Sequence, residues 1–276
     1  MNRQGYIQYN LMLSPENSGR ADSYARAIRI LEDVLPFQNV VDLRGQSLYT
    51  ISDIETIEKL EAVVKTEVAK MKRNEPNIFD HGNPKQRSYP LKNFCSSALR
   101  SFKNYVLYEH DIKEADAIVA QEQDPQRIAK RLVSHFGLTK DGTDEISQVK
   151  RRKGQNYFRR MVLSNYNSRC ALSGIDIQQL LLASHIIPWA EDKKVRLNLC
   201  NGICLSALYD KAFDQGLIGF NSQYKTVLSN RIVENEGKDY YEKYFAPIAG
   251  KELAMPTTFK PEPKFLEWHM DEVFLR

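Results

Sequence analysis

Between residues 180 and 216 the spacing of apolar residues changes from that of a strand to that of a helix, which limits this stretch to a strand, a turn and a helix in that order. The apolar run from Leu180 to Ile187 is followed by Pro188, which has no N–H to give to a ladder, so the run reads as a strand that stops there. His185 lies near its end, where a side chain can be aimed at a substrate. Asn201 and Gly202 read as a turn dipeptide. From Leu205 onward Leu205, Leu208, Ala212 and Phe213 repeat with helical spacing, and Gly216 stops them. Asp210 and Asp214 are four residues apart on that helix, so both carboxylates project from one face and can share a divalent cation.

Hydrolysis of a phosphodiester needs a group that takes a proton from water and a cation that carries charge on the phosphate oxygens. His185 and the Asp210/Asp214 pair supply the side chains for both. Taken singly, each feature has a plainer explanation. A histidine after an apolar run is commonly a satisfied core residue, two helical aspartates are commonly a solvated face, and Asn-Gly is commonly just a turn. Their order and spacing together favour a nuclease site.

That order resembles the core of the HNH nuclease family. The resemblance implies that His185, at the end of the first strand, is the general base. It also implies that Asn201 in the following loop braces that base and orients the water, and that Asp210 holds the metal. Asp214 falls in the aspartate place of a subgroup that reads Phe-Asp-x-Gly, here Phe213 to Gly216. Two positions depart from the pattern: Ser184 stands where many members carry an aspartate ligand, and Asp210 stands where the helix often carries histidine. An oxygen-rich donor set of this kind favours Mg²⁺ or Mn²⁺ over Zn²⁺. Upstream, Arg152, Gly154, Gln155, Phe158 and Arg159, then Tyr166, Cys170 and Gly174, resemble the lead-in of restriction-type HNH enzymes. The ending Phe265 to His269 resembles the same group, so the likeness runs from about residue 150 to 276 and implies a restriction or defence role. His269 itself reads as a packing or surface residue.

The net charge of +4 says little, but its distribution says more. Lys150, Arg151, Arg152, Lys153, Arg159 and Arg160 fall within twelve residues that contain no acid. A block of this kind is often a solvated face. Leading into a nuclease core, and with Gln155 among them, these residues read instead as phosphate contacts that give salt-sensitive affinity without base reading. The partner expected is double-stranded DNA. Cys95, Cys170, Cys200 and Cys204 are too scattered for a disulfide scaffold, and without paired Cys-x-x-Cys motifs they read as buried thiols rather than a structural Zn²⁺ site. There is neither an apolar run of membrane-spanning length nor a secretory leader at the N-terminus, so a cytoplasmic protein that does not enter a membrane is expected.

The first half reads as helical. Tyr6 to Leu13 suggests an edge strand or arm, followed by a turn from Ser14 to Gly19. Ala21 to Leu35 carries a helical stripe stopped by Pro36. A second helix opens at Ser52 with Glu55 completing a capping box, and a third runs from Tyr89 to Tyr108 with Pro90 in its first turn. The polar stretch between them, residues 72 to 88, reads as a loop. Asp124-Pro125 caps a further helix ending at Gly137, residues 139 to 146 read as a linker, and Lys150 to Tyr166 reads as a basic amphipathic helix. After the nuclease core, Leu217 to Phe220 and Tyr224 to Leu228 read as a hairpin.

The expected architecture is therefore α+β: a mainly helical N-terminal domain over 1–140, for DNA recognition or dimerisation, and a ββα-metal nuclease domain over 148–276. The expected activity is metal-dependent hydrolysis of DNA. A cut through both strands needs two sites, which points to a homodimer, twofold closure being the commonest assembly. Two rivals remain at this point: a DNA-binding protein on a non-catalytic nuclease scaffold, suggested by Ser184, and an RNA nuclease, because phosphate chemistry does not distinguish the sugars.

Overall fold

Among the described residues, every regular element before Leu181 is helical. A computed structural model describes residues 1–14, 18–43, 45–139 and 142–276. The helical region comprises α1 (Arg3–Leu13), α2 (Arg20–Val34), α3 (Ile54–Lys72), α4 (Ser88–Leu91), α5 (Phe94–Gln121), α6 (Pro125–His135) and α7 (Glu145–Asn165). A small ββα region follows: β1 (Leu181–His185), β2 (Gly202–Ser206) and α8 (Ala207–Asp214). The remainder is β3 (Ile218–Phe220), β4 (Thr226–Leu228), α9 (Asn230–Val233), α10 (Asp239–Tyr244) and α11 (Pro263–Glu272). No helix among the described residues is long and apolar enough to cross a membrane.

The chain divides into two compact units, Met1–Glu114 and Ala115–Arg276. The division falls earlier than the linker expected at 139 to 146, so α6 lies in the second unit. Residues 140 and 141 of that linker, and 15 to 17 of the turn expected after α1, lie outside the described residues.

The first unit buries Tyr6, Ile28, Leu31, Leu60, Val64 and Phe102 in one core. Residues 6 to 13 are not a strand or arm but part of α1. Tyr6 and Tyr9 are both buried, and at a spacing of three they share a helix face, whereas a strand would send them to opposite sides. Tyr6 then meets Phe102 edge-on, with centroids 5.6 Å apart, and its hydroxyl donates to the Ala98 carbonyl at 2.9 Å. The capping box expected at Ser52 is replaced by a cap one residue later. Asp53 accepts from the Thr56 amide at 2.8 Å, a carboxylate being favoured where a helix presents unpaired N–H groups. The third helix is broken: Asn93, at φ 62°, separates α4 from α5. The second of these continues past Tyr108 because its apolar stripe continues to the fully buried Ala115.

In the second unit α6 has the expected cap, with Asp124 accepting from the Gln126 amide at 2.9 Å. Helix α7 starts earlier than its apolar stripe suggests, capped by Asp144, which accepts from the Ser147 amide at 2.7 Å. It buries Tyr157, Phe158, Val162 and Leu163. Strands β1 and β2 pair antiparallel, with His185 opposite Gly202 and Ser184 opposite Ile203. This corrects the local reading at two points. Gly202 begins a strand rather than completing a turn, and Leu205 lies on that strand opposite Leu182, so the helix starts at Ala207. All five residues of β2 are buried, and a strand covered on both faces shows no alternation to mark it. The hairpin is found as expected, with Phe220 opposite Thr226.

Gly202 is required by close approach. A Cβ there would sit 2.5 Å from Val162 Cγ2 and 2.8 Å from Phe158 Cζ, both on α7. Gly202→Ala is therefore expected to destabilise the protein by about 1–3 kcal/mol through overpacking. A thermal melt would show this as a drop of roughly 2–4 °C per kcal/mol for a unit of this size; an unchanged midpoint would contradict the packing.

Candidate active site

His185 is the last residue of β1, and α7 supplies the surface it lies on. Its ring stacks on Phe158 with centroids 3.9 Å apart and planes 14° from parallel, and it meets Trp189 edge-on at 5.6 Å. His185 Nε2 is 3.0 Å from the Arg196 carbonyl oxygen. A carbonyl can only accept, so Nε2 carries the proton and Nδ1 keeps its lone pair. Burial pushes the imidazole pKa down to about 4, against the upward pull of the Arg196 carbonyl, so the ring is neutral at ordinary pH. A neutral imidazole with one nitrogen anchored and the other basic is the form a general base needs.

The two acids come from α8. Asp210 accepts a 2.5 Å hydrogen bond from Ser184 Oγ, so the serine that departs from the family pattern holds the Asp210 carboxylate in place. The Asp214 carboxyl is pushed up by burial and by the charge of Asp210, with Lys211 pulling the other way. His185, Ser184, Asp210 and Asp214 line one cleft of about 490 Å³, together with Trp189, Gln215 and His269.

Among the described residues no group of three or more His, Cys, Asp or Glu side chains is arranged to hold a metal. Two carboxylates opening on a cleft are a donor set for a hard cation that keeps water and phosphate oxygens as its other ligands. This is how Mg²⁺ binds at nucleotide sites. The raised carboxyl of Asp214 marks negative charge that a cation would relieve, so the residues fit the group the family implies. The four cysteines are free and buried. Burial pushes the thiols of Cys95, Cys200 and Cys204 up to about 12, which keeps them protonated. Cys170 Sγ accepts from the amides of Ser173 and Ser206, tying the end of β2 to the preceding loop.

Asn201, expected to brace the base and orient the water, is bonded to the loop after β1. It is fully buried, its Oδ1 accepts from the Ile187 amide at 2.8 Å, and its Nδ2 donates to the carbonyls of Ile187 at 3.0 Å and Val195 at 3.3 Å. Those three bonds pin both ends of the loop after β1. The next carbonyl along that loop, at Arg196, is the one that anchors His185. Asn201 is thus bonded to the same loop whose Arg196 carbonyl meets His185 Nε2. Arg196 is itself buried, donating Nε to the Trp189 carbonyl at 2.7 Å with its guanidinium 5.3 Å from the Trp189 ring centroid.

The basic residues are spread along α7. Arg151, Gln155 and Arg159 follow one another at four-residue spacing and so form a stripe. Gln155 and Lys150 are exposed, while Arg151, Arg152, Lys153 and Arg159 are partly covered. Arg160 is engaged within the unit, hydrogen-bonded to Asp116 and lying over Tyr157, 5.2 Å from its centroid. Its charge is already met by a carboxylate.

Sequence reasoning left out two residues of this cleft as working parts. Ser184 appeared only as a departure from a pattern. His269 read as packing, and it does pack: it is 2% exposed and lies flat on Phe213 at 3.8 Å. It also lines the cleft, which no local signal 84 residues beyond His185 could have revealed.

Residues 170–221 match the family model HNH_2, described as HNH endonuclease. The matched segment contains β1, β2, α8 and β3, and with them His185, Asn201, Asp210 and Asp214. No curated protein matches the chain. Residues 170–221 are thus an HNH endonuclease domain preceded by a helical region. A domain of this kind implies a phosphodiester hydrolase with a nucleic-acid substrate.

Proposed function

We propose that this chain is a metal-dependent DNA endonuclease of restriction or defence type. The reading rests on one juxtaposition: a neutral, anchored imidazole and a carboxylate pair line the same cleft. In this reading His185 Nδ1 takes a proton from water as the water attacks phosphorus, while the Arg196 carbonyl stabilises the imidazolium through Nε2–H. A base whose pKa is near 4 is available but weak, and the negative phosphate entering the cleft raises it toward the working pH. Asp210, held by Ser184, and Asp214 would bind one Mg²⁺ or Mn²⁺, which when bound offsets charge on the phosphate oxygens. The Ser184 bond to Asp210 supports a working site rather than a non-catalytic scaffold, because it organises a carboxylate instead of replacing one.

The stripe on α7 supports phosphate contact. The choice of DNA, and the restriction or defence role, follow the resemblance of residues 150 to 174 and 265 to 269 to restriction-type enzymes. Two copies of the chain would cut both strands of a duplex, each supplying one cleft. The test is incubation of supercoiled plasmid, and separately of RNA, with Mn²⁺ and with protein that is wild type or His185→Ala. Nicked and linear plasmid made only by the wild-type protein is the expected result. Degradation of RNA with intact plasmid would move the substrate, and equal behaviour of the two proteins would end the catalytic reading. Mapping cuts on DNA with and without modified bases tests the restriction role.

Replacing Arg151 and Arg159 together by alanine is expected to weaken DNA binding uniformly across sequences. It should also flatten the plot of log affinity against log salt by about 0.9 for each phosphate no longer neutralised. Fluorescence titration at several salt concentrations measures both, and an unchanged slope would remove α7 from the interface.

A further inference from the structure

We infer that His269, outside the matched domain, is a positioning residue for Asp214, so that α11 is part of the nuclease site. The inference rests on the proposed role of Asp214 in holding a cation.

Asp214 is the last residue of α8, and the final carbonyls of a helix have no intrahelical partner. The Phe213 carbonyl, one peptide before Asp214, accepts from the Gly216 amide at 2.9 Å and, on its other lone pair, from His269 Nε2 at 3.1 Å. The stacked ring covers Phe213 at 3.8 Å with planes 5° apart, so the histidine grips both the side chain and the carbonyl of Asp214's neighbour. The other ring nitrogen, Nδ1, is buried with no hydrogen-bond partner, so Nε2 makes the ring's one hydrogen bond, and it goes to the helix end.

The chain after His269 tightens the same grip. The Leu275 amide donates to the Gly216 carbonyl at 2.9 Å. Gly216 has φ 66°, and a Cβ there would lie 2.1 Å from the Val273 carbonyl oxygen, so the end of α8 and residues 273 to 275 fit only with glycine between them. Asp214 lines the cleft from a helix end held by a segment 55 to 61 residues further along the chain.

The test is Mn²⁺ affinity, measured calorimetrically on folded protein without DNA, beside kcat and KM for plasmid at several Mn²⁺ concentrations. His269→Phe keeps the stacking ring and removes the donor; His269→Gln restores an amide donor. His269→Phe is expected to bind Mn²⁺ about tenfold more weakly, at the lower end of what removal of an outer-shell partner costs. Its kcat should recover with excess Mn²⁺ while KM for DNA stays unchanged, and His269→Gln should regain most of the affinity. A purely structural histidine would lower the melting temperature without moving metal affinity. If His269→Phe does not fold, Leu275→Pro, which removes the donor to Gly216, must weaken Mn²⁺ binding in its place. Wild-type affinity in whichever of these variants folds overturns the inference. If Asp214→Asn loses the metal while His269→Phe keeps it, the inference fails and the proposed chemistry stands; a wild-type protein that takes up no Mn²⁺ overturns both.

Discussion

His185→Ala is expected to slow plasmid cleavage by about 10²–10⁴-fold, the range over which a positioned general base acts, while binding of Mn²⁺ and DNA persists. The separation is expected because the ring belongs to β1 and lies on Phe158, whereas the acids belong to α8, where Ser184 donates to Asp210. Retained cleavage would show that another group takes the proton. The same histidine shapes the pH profile. With its pKa lowered to about 4 by burial, the free enzyme keeps a neutral base down to mildly acidic pH. The acid limb of kcat/KM should therefore lie well below the ordinary histidine range, and that of kcat, which reports the complex with the phosphate in place, should lie higher. Stability follows with a definite sign. His185 and His269 both titrate near 4 when folded against 6.5 for the free side chain, so between those values the unfolded chain binds more protons. Folding stability is complete above that window and is lost as the pH falls through it, by on the order of 3 kcal/mol for each ring. Melting temperatures recorded from pH 7 to pH 4.5 should fall steadily, and a flat profile would contradict the burial of the two imidazoles.

Asp214→Asn is expected to abolish metal-dependent cleavage while stabilising the metal-free protein. The carboxyl of Asp214 is raised by burial and by Asp210, so in the fold its ionised form is disfavoured relative to the unfolded chain. Above the folded pKa that mismatch costs stability, and it vanishes as the pH falls through that value. An amide of the same shape removes the charge and the cost together. A rise in melting temperature is expected. Activity should fall by at least about 10²–10³-fold, the scale on which one electrostatic stabiliser of a transition state counts. Added Mn²⁺ should raise the melting temperature of the wild type and leave that of Asp214→Asn unchanged. If the substitution lowers stability without metal, the acidic pair is not under the mutual repulsion described here. Function and stability would then not be opposed at this position.

The working side chains were easier to find in the sequence than the elements around them. His185 stood at the end of a strand bounded by proline, and Asp210 and Asp214 were visible by their four-residue spacing, because both signals are local. Strand β2 was not visible: its residues are buried on both faces, so Leu205 joined the helical pattern of the residues after it. Residues 6 to 13 read as an edge strand or arm, and only the packing of Tyr6 against Phe102 on α5 shows which face Tyr6 and Tyr9 share.

The sequence by itself determined which residues are candidates for the base and the acids, that a strand precedes the helix carrying those acids, and the basic character of α7, since each depends on residues within a few turns of one another. Only the tertiary structure decided what holds them. Asn201 bonds the loop whose Arg196 carbonyl meets His185, Ser184 donates to Asp210 from the neighbouring strand, Phe158 on α7 lies under the imidazole, and His269 meets the end of α8 from the C-terminal helix. The bonds through which these residues act join parts of the chain from 6 to 56 residues apart, and in the unfolded sequence nothing sets their distance or direction until the core closes around them.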